Sequence, residues 1–167
     1  MLRKLKSGAY KFKKCFLFTG FLNVFIIEMV VNMKRFIEMH NRDFDKAFKE
    51  VRNKKKVTHW MWYIFPQLKD LGYSTTAKYY GISSKEEAIE YISTPLLKKN
   101  MKKMCEALME IENCSAVDIF GDIDAKKLQS CMTLFYLVTD DVMFKKVLQK
   151  YYDGKLDLKT KNIIGNL

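Results

Sequence analysis

The chain has 167 residues, 49% of them hydrophobic and 14% aromatic, which excludes a disordered chain and suits one domain with a real core. Seven Gly and two Pro are too few for the many turns of an all-β domain. The net charge of +11 is mostly lysine, with Arg35, Arg42 and Arg52 the only arginines after residue 32, so it reads as a solvated surface and not as a specific nucleic-acid footprint.

Residues 1–32 stand apart. A basic stretch, MLRKLKSGAYKFKK, precedes an apolar one from Cys15 to Ile27, the order of a secretory signal or membrane anchor. The uncharged run is 13 residues, short of the roughly 20 a spanning helix requires. Lengthening it would put Glu28 inside the bilayer. No A-x-A-like cleavage site follows. A poor signal-anchor, an amphipathic surface segment and a non-native leader ahead of a start at Met33 all fit. The leader is favoured, because Met33 opens a clean helical pattern. Membrane association is expected only if residues 1–32 are native, and the rest of the chain is expected in the cytoplasm.

From Met33 no repeat, low-complexity tract or linker divides the chain, which points to a single all-α domain over residues 33–167. Residues 34–40 and 43–53 read as two helices, the second capped by Asp43 with Phe44, Ala47, Phe48 and Val51 at helical spacing. Thr58 to Phe65 makes one or two turns that stop before Pro66. Ser74 caps a short helix carrying Ala77 and Tyr80, with Gly81 in the left-handed position that ends it. Ser84-x-x-Glu87 is a capping box for a helix that buries Ala88, Ile89 and Ile92. Thr94-Pro95 starts the clearest amphipathic helix, in which Leu97, Met101, Met104, Leu108 and Ile111 alternate by fours and threes. Asp122 or Asp124 opens a helix through Val138. Asp140 or Asp141 opens another, with Phe144, Val147, Leu148 and Tyr151 inward, and Asp157 to Ile164 forms a last short one. No stretch shows strand alternation bounded by turns. The expected fold is an irregular all-α bundle of about seven or eight short-to-medium helices.

Cys15, Cys105, Cys114 and Cys131 form no C-x-x-C pair and have no His at ligand spacing, so zinc is not expected, and Cys105 and Cys131 read as small core hydrophobes. The dinucleotide, P-loop and nucleophile-elbow patterns are absent. His40 and His59 are the only histidines, without a ligand cluster about them. Neither metal nor cofactor is expected.

Two segments can carry chemistry. The first, His59-Trp60-Met61-Trp62-Tyr63-Ile64-Phe65-Pro66-Gln67, holds both tryptophans. On a helix Trp60 and Ile64 share one face while His59, Trp62 and Tyr63 lie on another, so the aromatics cannot all enter one core face. Either this is a central helix buried on all sides with His59 bonded to backbone, or it is a wall of flat side chains with polar His59 and Gln67, suited to stacking on a ring. In the second segment, Lys126, Gln129, Ser130 and Thr133 share one helical face, opposite Leu128, Cys131, Met132 and Phe135. That polar face meets solvent, bonds carbonyls four residues back, or lines a pocket.

HWMWYIFPQ (His59 to Gln67), with Gly72, Ser74, Tyr80-Gly81-Ile82, Ile119-Phe120-Gly121 and DAKKLQSCMTLF (Asp124 through Phe135), resembles the signature of the domain-of-unknown-function 1810 family. The resemblance runs from about Arg35 to the C-terminus. It implies a compact all-α fold and a bacterial cytosolic protein, and it implies no activity. Some members carry the label calpastatin, but that inhibitor is a disordered chain, unlike this one. Cys131, where a second serine is usual, and Tyr63, where phenylalanine is usual, depart from the pattern.

The functional expectation is a pocket between the aromatic segment and the Lys126–Thr133 face. It would be lined by His59, Trp60, Trp62, Gln67, Lys126, Ser130 and Thr133, with His59 within reach of that face. Its ligand would be a small anionic or nucleotide-like compound, bound and, as an open question, turned over. The alternative is a non-catalytic interaction module whose lysine surface takes an acidic protein or nucleic acid; specific nucleic-acid binding is not expected.

Overall fold

The computed structural model describes residues 33–166. The segment 1–32, and with it the signal, leader and surface readings, lies outside the described residues. The chain is helical without a break over 33–52 (α1). No Gly or Pro interrupts that stretch, and Phe36, His40, Phe44, Ala47 and Val51 recur every three or four residues on its buried side. The two expected helices are therefore one. Asp43 is not a cap; its carboxylate accepts from the Tyr63 hydroxyl. Lys54, left-handed at φ 57°, turns the chain away after α1.

Helix α2 (Met61–Ile64) is a single turn that stops ahead of Pro66, as proline's restriction on its predecessor requires. A 3-10 turn at Lys69–Leu71 and helix α3 (Thr75–Tyr79) follow, with Ser74 Oγ accepting from Ala77 N at 3.1 Å. Gly81 is not left-handed. It answers to a close approach of backbones: Leu68 and Ile82 form an isolated parallel bridge, and a Cβ on Gly81 would overlap Lys69 Cα and lie 2.8 Å from Lys69 Cβ.

In α4 (Lys85–Ser93) Ser84 Oγ accepts from Glu87 N at 3.2 Å, but the Glu87 carboxylate accepts from Ser83 N at 2.6 Å and not from the cap residue, so only half of the expected box forms. Ala88 and Tyr91, three apart, take the buried face, which turns Ile89 out to 47% exposure and leaves Ile92 half-buried. Helix α5 (Pro95–Glu110) buries Leu97, Met101, Met104 and Leu108 as its spacing requires. Thr94 gives its hydroxyl to Glu90 O at 2.9 Å, closing α4 and leaving α5 to proline's preset φ.

Helix α6 (Ala116–Thr139) is the centre of the bundle, packed against α4, α7 (Val142–Tyr152) and α8 (Leu158–Asn166), while α5 lies on α4 and α7. Ser130 through Phe135 are buried without interruption, the signature of a helix covered on all sides. The Phe135 ring meets Tyr91 at 5.3 Å and Phe144 at 5.6 Å. α6 opens earlier than expected, on a complete capping box of Ser115 and Asp118. It breaks at Gly121 (φ 75°, ψ 165°), so the start expected at Asp122 or Asp124 is where the helix resumes. The fold is all-α: the described residues hold eight α-helices and no strand, and none of these helices is long and apolar enough to cross a membrane.

Candidate functional site

The aromatic segment is held from behind by α1. His40, Asp43 and Glu50 fall within one narrow arc of that helix, and each grips a different part of the segment. The buried His40 ring sits with Nε2 at 2.9 Å from Tyr63 O and Nδ1 at 3.1 Å from Asn100 Nδ2. The Asn100 amide donates to Nδ1, so the ring proton is on Nε2 and is donated to the Tyr63 carbonyl. Tyr91 donates its hydroxyl to the same carbonyl at 3.0 Å. Tyr63 donates its own hydroxyl to Asp43 and to His59 O, the latter at 3.1 Å; burial and the Asp43 carboxylate push that phenol well above its usual range.

Glu50 organises the stretch before α2. Its carboxylate accepts from Val57 N (2.8 Å), Thr58 N (3.0 Å), Thr58 Oγ1 (2.6 Å) and Trp60 Nε1 (2.8 Å). Burial alone would raise this carboxyl, but the bonds from Thr58, Val57 and Trp60 outweigh it and hold the pKa down at about 2. Lys56 N adds a bond to Ile119 O at 2.7 Å, beside the break in α6. Residues 56–60 thus form a strap fixed at both sides.

Between this strap and the Gly121 break lies an open cleft of about 460 Å³. Met61 and Phe120 contribute buried apolar surface. Trp62 and His59 form one wall, their rings near parallel at 6.2 Å. Gly121, Asp122 and Ile123 make the lip, and Ile123 is 73% exposed. Besides the exposed Asp122, three charged groups line the cleft and are bonded together: Asp124 takes Lys56 Nζ on Oδ2 and Lys127 Nζ on Oδ1, each at 2.7 Å. Each lysine also stands over an indole, Lys56 at 5.2 Å from Trp60 and Lys127 at 5.3 Å from Trp62. Half-burial works to raise the Asp124 carboxyl, but the two ammonium groups overcome it and hold it below the ordinary carboxylate range. Among the described residues no three His, Cys, Asp or Glu side chains converge as a metal site would need.

Of the residues expected to line a site, His59 and Trp62 lie in this cleft. Trp60 is buried behind it, 1% exposed, with its indole N–H spent on Glu50. Gln67 does not line it; its carbonyl accepts from Ile82 N at 2.9 Å. Lys126 is exposed, and its neighbour Lys127 enters the cleft instead. Ser130 and Thr133 are drawn to Asp157: Ser130 Oγ donates to the carboxylate at 3.1 Å and Thr133 Oγ1 accepts from Asp157 N at 2.9 Å. Gln129 donates to Lys155 O at 3.0 Å. That face meets solvent at Lys126 and does not line the cleft; its Gln129, Ser130 and Thr133 pin the connection between α7 and α8. His59 therefore faces Asp124 and Lys127, about one turn N-terminal to the expected face. Sequence reasoning missed Lys56, Glu50, Gly121, Asp124 and Lys127. The spacing of three between Asp124 and Lys127 inside DAKK was a usable signal for the last two.

No curated protein matches the chain. The crystal structure of the conserved hypothetical protein Rv1873 from Mycobacterium tuberculosis is similar, with a TM-score of 0.78 and 38% identity, over 80% of this chain and 96% of that one. Residues 30–164 match the family model described as protein of unknown function (DUF1810), and the chain belongs to that family.

Proposed function

We propose that the cleft between the residue 56–60 strap and the Gly121 break binds a small, flat, negatively charged ligand. What supports this is the convergence in one 460 Å³ opening of an aromatic wall, Trp62 with His59, and two lysines, Lys56 and Lys127, whose ammonium groups keep donors beyond those given to Asp124. A ring packs on the apolar wall and its anionic group turns toward the lysines. The strap is rigid through Glu50, so the site is organised before ligand arrives and little ordering opposes binding.

The test is a thermal-shift screen of the full chain against nucleosides, nucleotides and aromatic carboxylates. A true ligand at one hundred times its Kd adds about 2.7 kcal/mol to stability, a rise of several degrees in Tm. W62A and K127M are expected to lose that rise. A hit retained by both variants, or a panel without a hit, overturns the reading.

A further inference from the structure

We infer that the cleft selects a flat ring bearing a single negative charge over doubly or multiply charged nucleotides, and that Asp124 sets this preference. The inference rests on the ligand-binding reading above. Both Asp124 oxygens are engaged, one by each lysine. Neither lysine can therefore meet a ligand without sharing its charge with that carboxylate. The two ammonium groups and one carboxylate bonded to each other sum to +1, with Asp122 outside this cluster at the exposed lip. The cluster is set into the wall of the cleft: the Lys56 side chain is 9% exposed and that of Asp124 16%.

In such a place charge balance decides affinity. A monoanion brings the cluster to neutrality. A dianion leaves one negative charge uncompensated in a partly desolvated site. Its attraction to the cluster grows in proportion to its charge, but its desolvation cost grows with the square. Asp122, exposed at the lip, adds a further negative charge against a second anionic group. Asp124 stays ionised through the physiological range: burial opposes this, and Lys127 and Lys56 prevail.

The experiment titrates the full chain by thermal shift at pH 8, where a phosphate monoester is doubly charged. One series is adenosine, cyclic AMP and AMP; the other is naphthalene methanol, naphthoate and naphthalene dicarboxylate. In each series the ring is constant and the charge rises. The singly charged member is expected to bind about tenfold more tightly than its uncharged and doubly charged relatives. D124N is expected to invert the order, with AMP and the dicarboxylate gaining about tenfold over the monoanions. If D124N does not fold, the order on the unaltered chain still decides. Binding of AMP or the dicarboxylate as tight as that of the monoanions overturns the inference and leaves the cleft reading standing. No shift from any compound overturns both.

Discussion

The His40 ring has both nitrogens committed inside the core, one to the Tyr63 carbonyl and one to the Asn100 amide. Protonating it would leave Nδ1–H facing the donor hydrogens of Asn100 in a desolvated place. Burial, partly offset by the bond to the Tyr63 backbone, accordingly lowers its pKa to about 4. The unfolded chain takes up this proton near pH 6.5, the folded chain only near pH 4, so between these values the unfolded state binds more protons. Stability is complete above pH 6.5 and is lost as the pH falls toward 4, by about 3 kcal/mol for this one group. Urea titrations at pH 7 and pH 5 are expected to differ by about 2 kcal/mol through His40. H40Q, which keeps a polar side chain without the titration, should be less stable at pH 7 and lose that much of the slope. An unchanged slope in H40Q would show that the ring is not held neutral. His40 was visible in the sequence as one of two histidines. Its role was not, because its partners Tyr63, Tyr91 and Asn100 lie 23, 51 and 60 residues along the chain.

At the scale of elements, local chemistry was the legible part. Ser74, Ser84 and Asp141 accept from backbone N–H groups of the helices they were expected to open, and the four-and-three spacing of α5 marks its buried face. What failed was continuity. Asn41-Arg42-Asp43 reads as a break because Asn and Asp compete for backbone bonds, yet burial of Phe36, Phe44 and Val51 along one line keeps α1 whole. Conversely, α6 already runs from Ala116 and is broken at Gly121, whereas the sequence reads as a helix only from Asp122 or Asp124 onward. That break builds the lip of the cleft, so the site depends on an irregularity between two helical stretches of which the sequence showed one. Gly121 has φ 75° with nothing within 4 Å of where a Cβ would stand. G121A therefore meets no clash, and its cost is conformational, about 1–3 kcal/mol. In an ordinary helical position the same change would stabilise by about 1 kcal/mol. Equilibrium unfolding separates these by sign alone. A stabilised G121A would mean that the break is soft and that α6 can run straight.

For the whole molecule, the two expected functions divide on where charge is free to act. Arginine, the better residue for forked phosphate contacts, is paired with a carboxylate at each position among the described residues: Arg35 with Glu87, and at the surface Arg42 with Asp43 and Arg52 with Glu110. Apart from Arg42 and Arg52, the exposed cations among the described residues are lysines, four of them (Lys98, Lys99, Lys102 and Lys103) along the outer side of α5. Their face is interrupted by no aromatic on which a base can stack, since α5 carries none. Over residues 33–167 the surplus of 24 Lys and Arg against 18 Asp and Glu is only +6. A polyanion can therefore be attracted, and nothing in this surface can read its sequence. Fluorescence anisotropy of the full chain with labelled duplexes and single strands is expected to show weak binding that is equal across sequences. Binding should fall by an order of magnitude or more as salt rises from about 50 to about 200 mM, because each lysine contact releases a counterion. Replacing Lys98, Lys99, Lys102 and Lys103 by Gln should flatten that salt dependence while leaving thermal shifts by cleft ligands untouched, since none of the four lines the cleft. Tight binding to one sequence at physiological salt would instead place recognition on the α5 surface and make the interaction-module reading the better one.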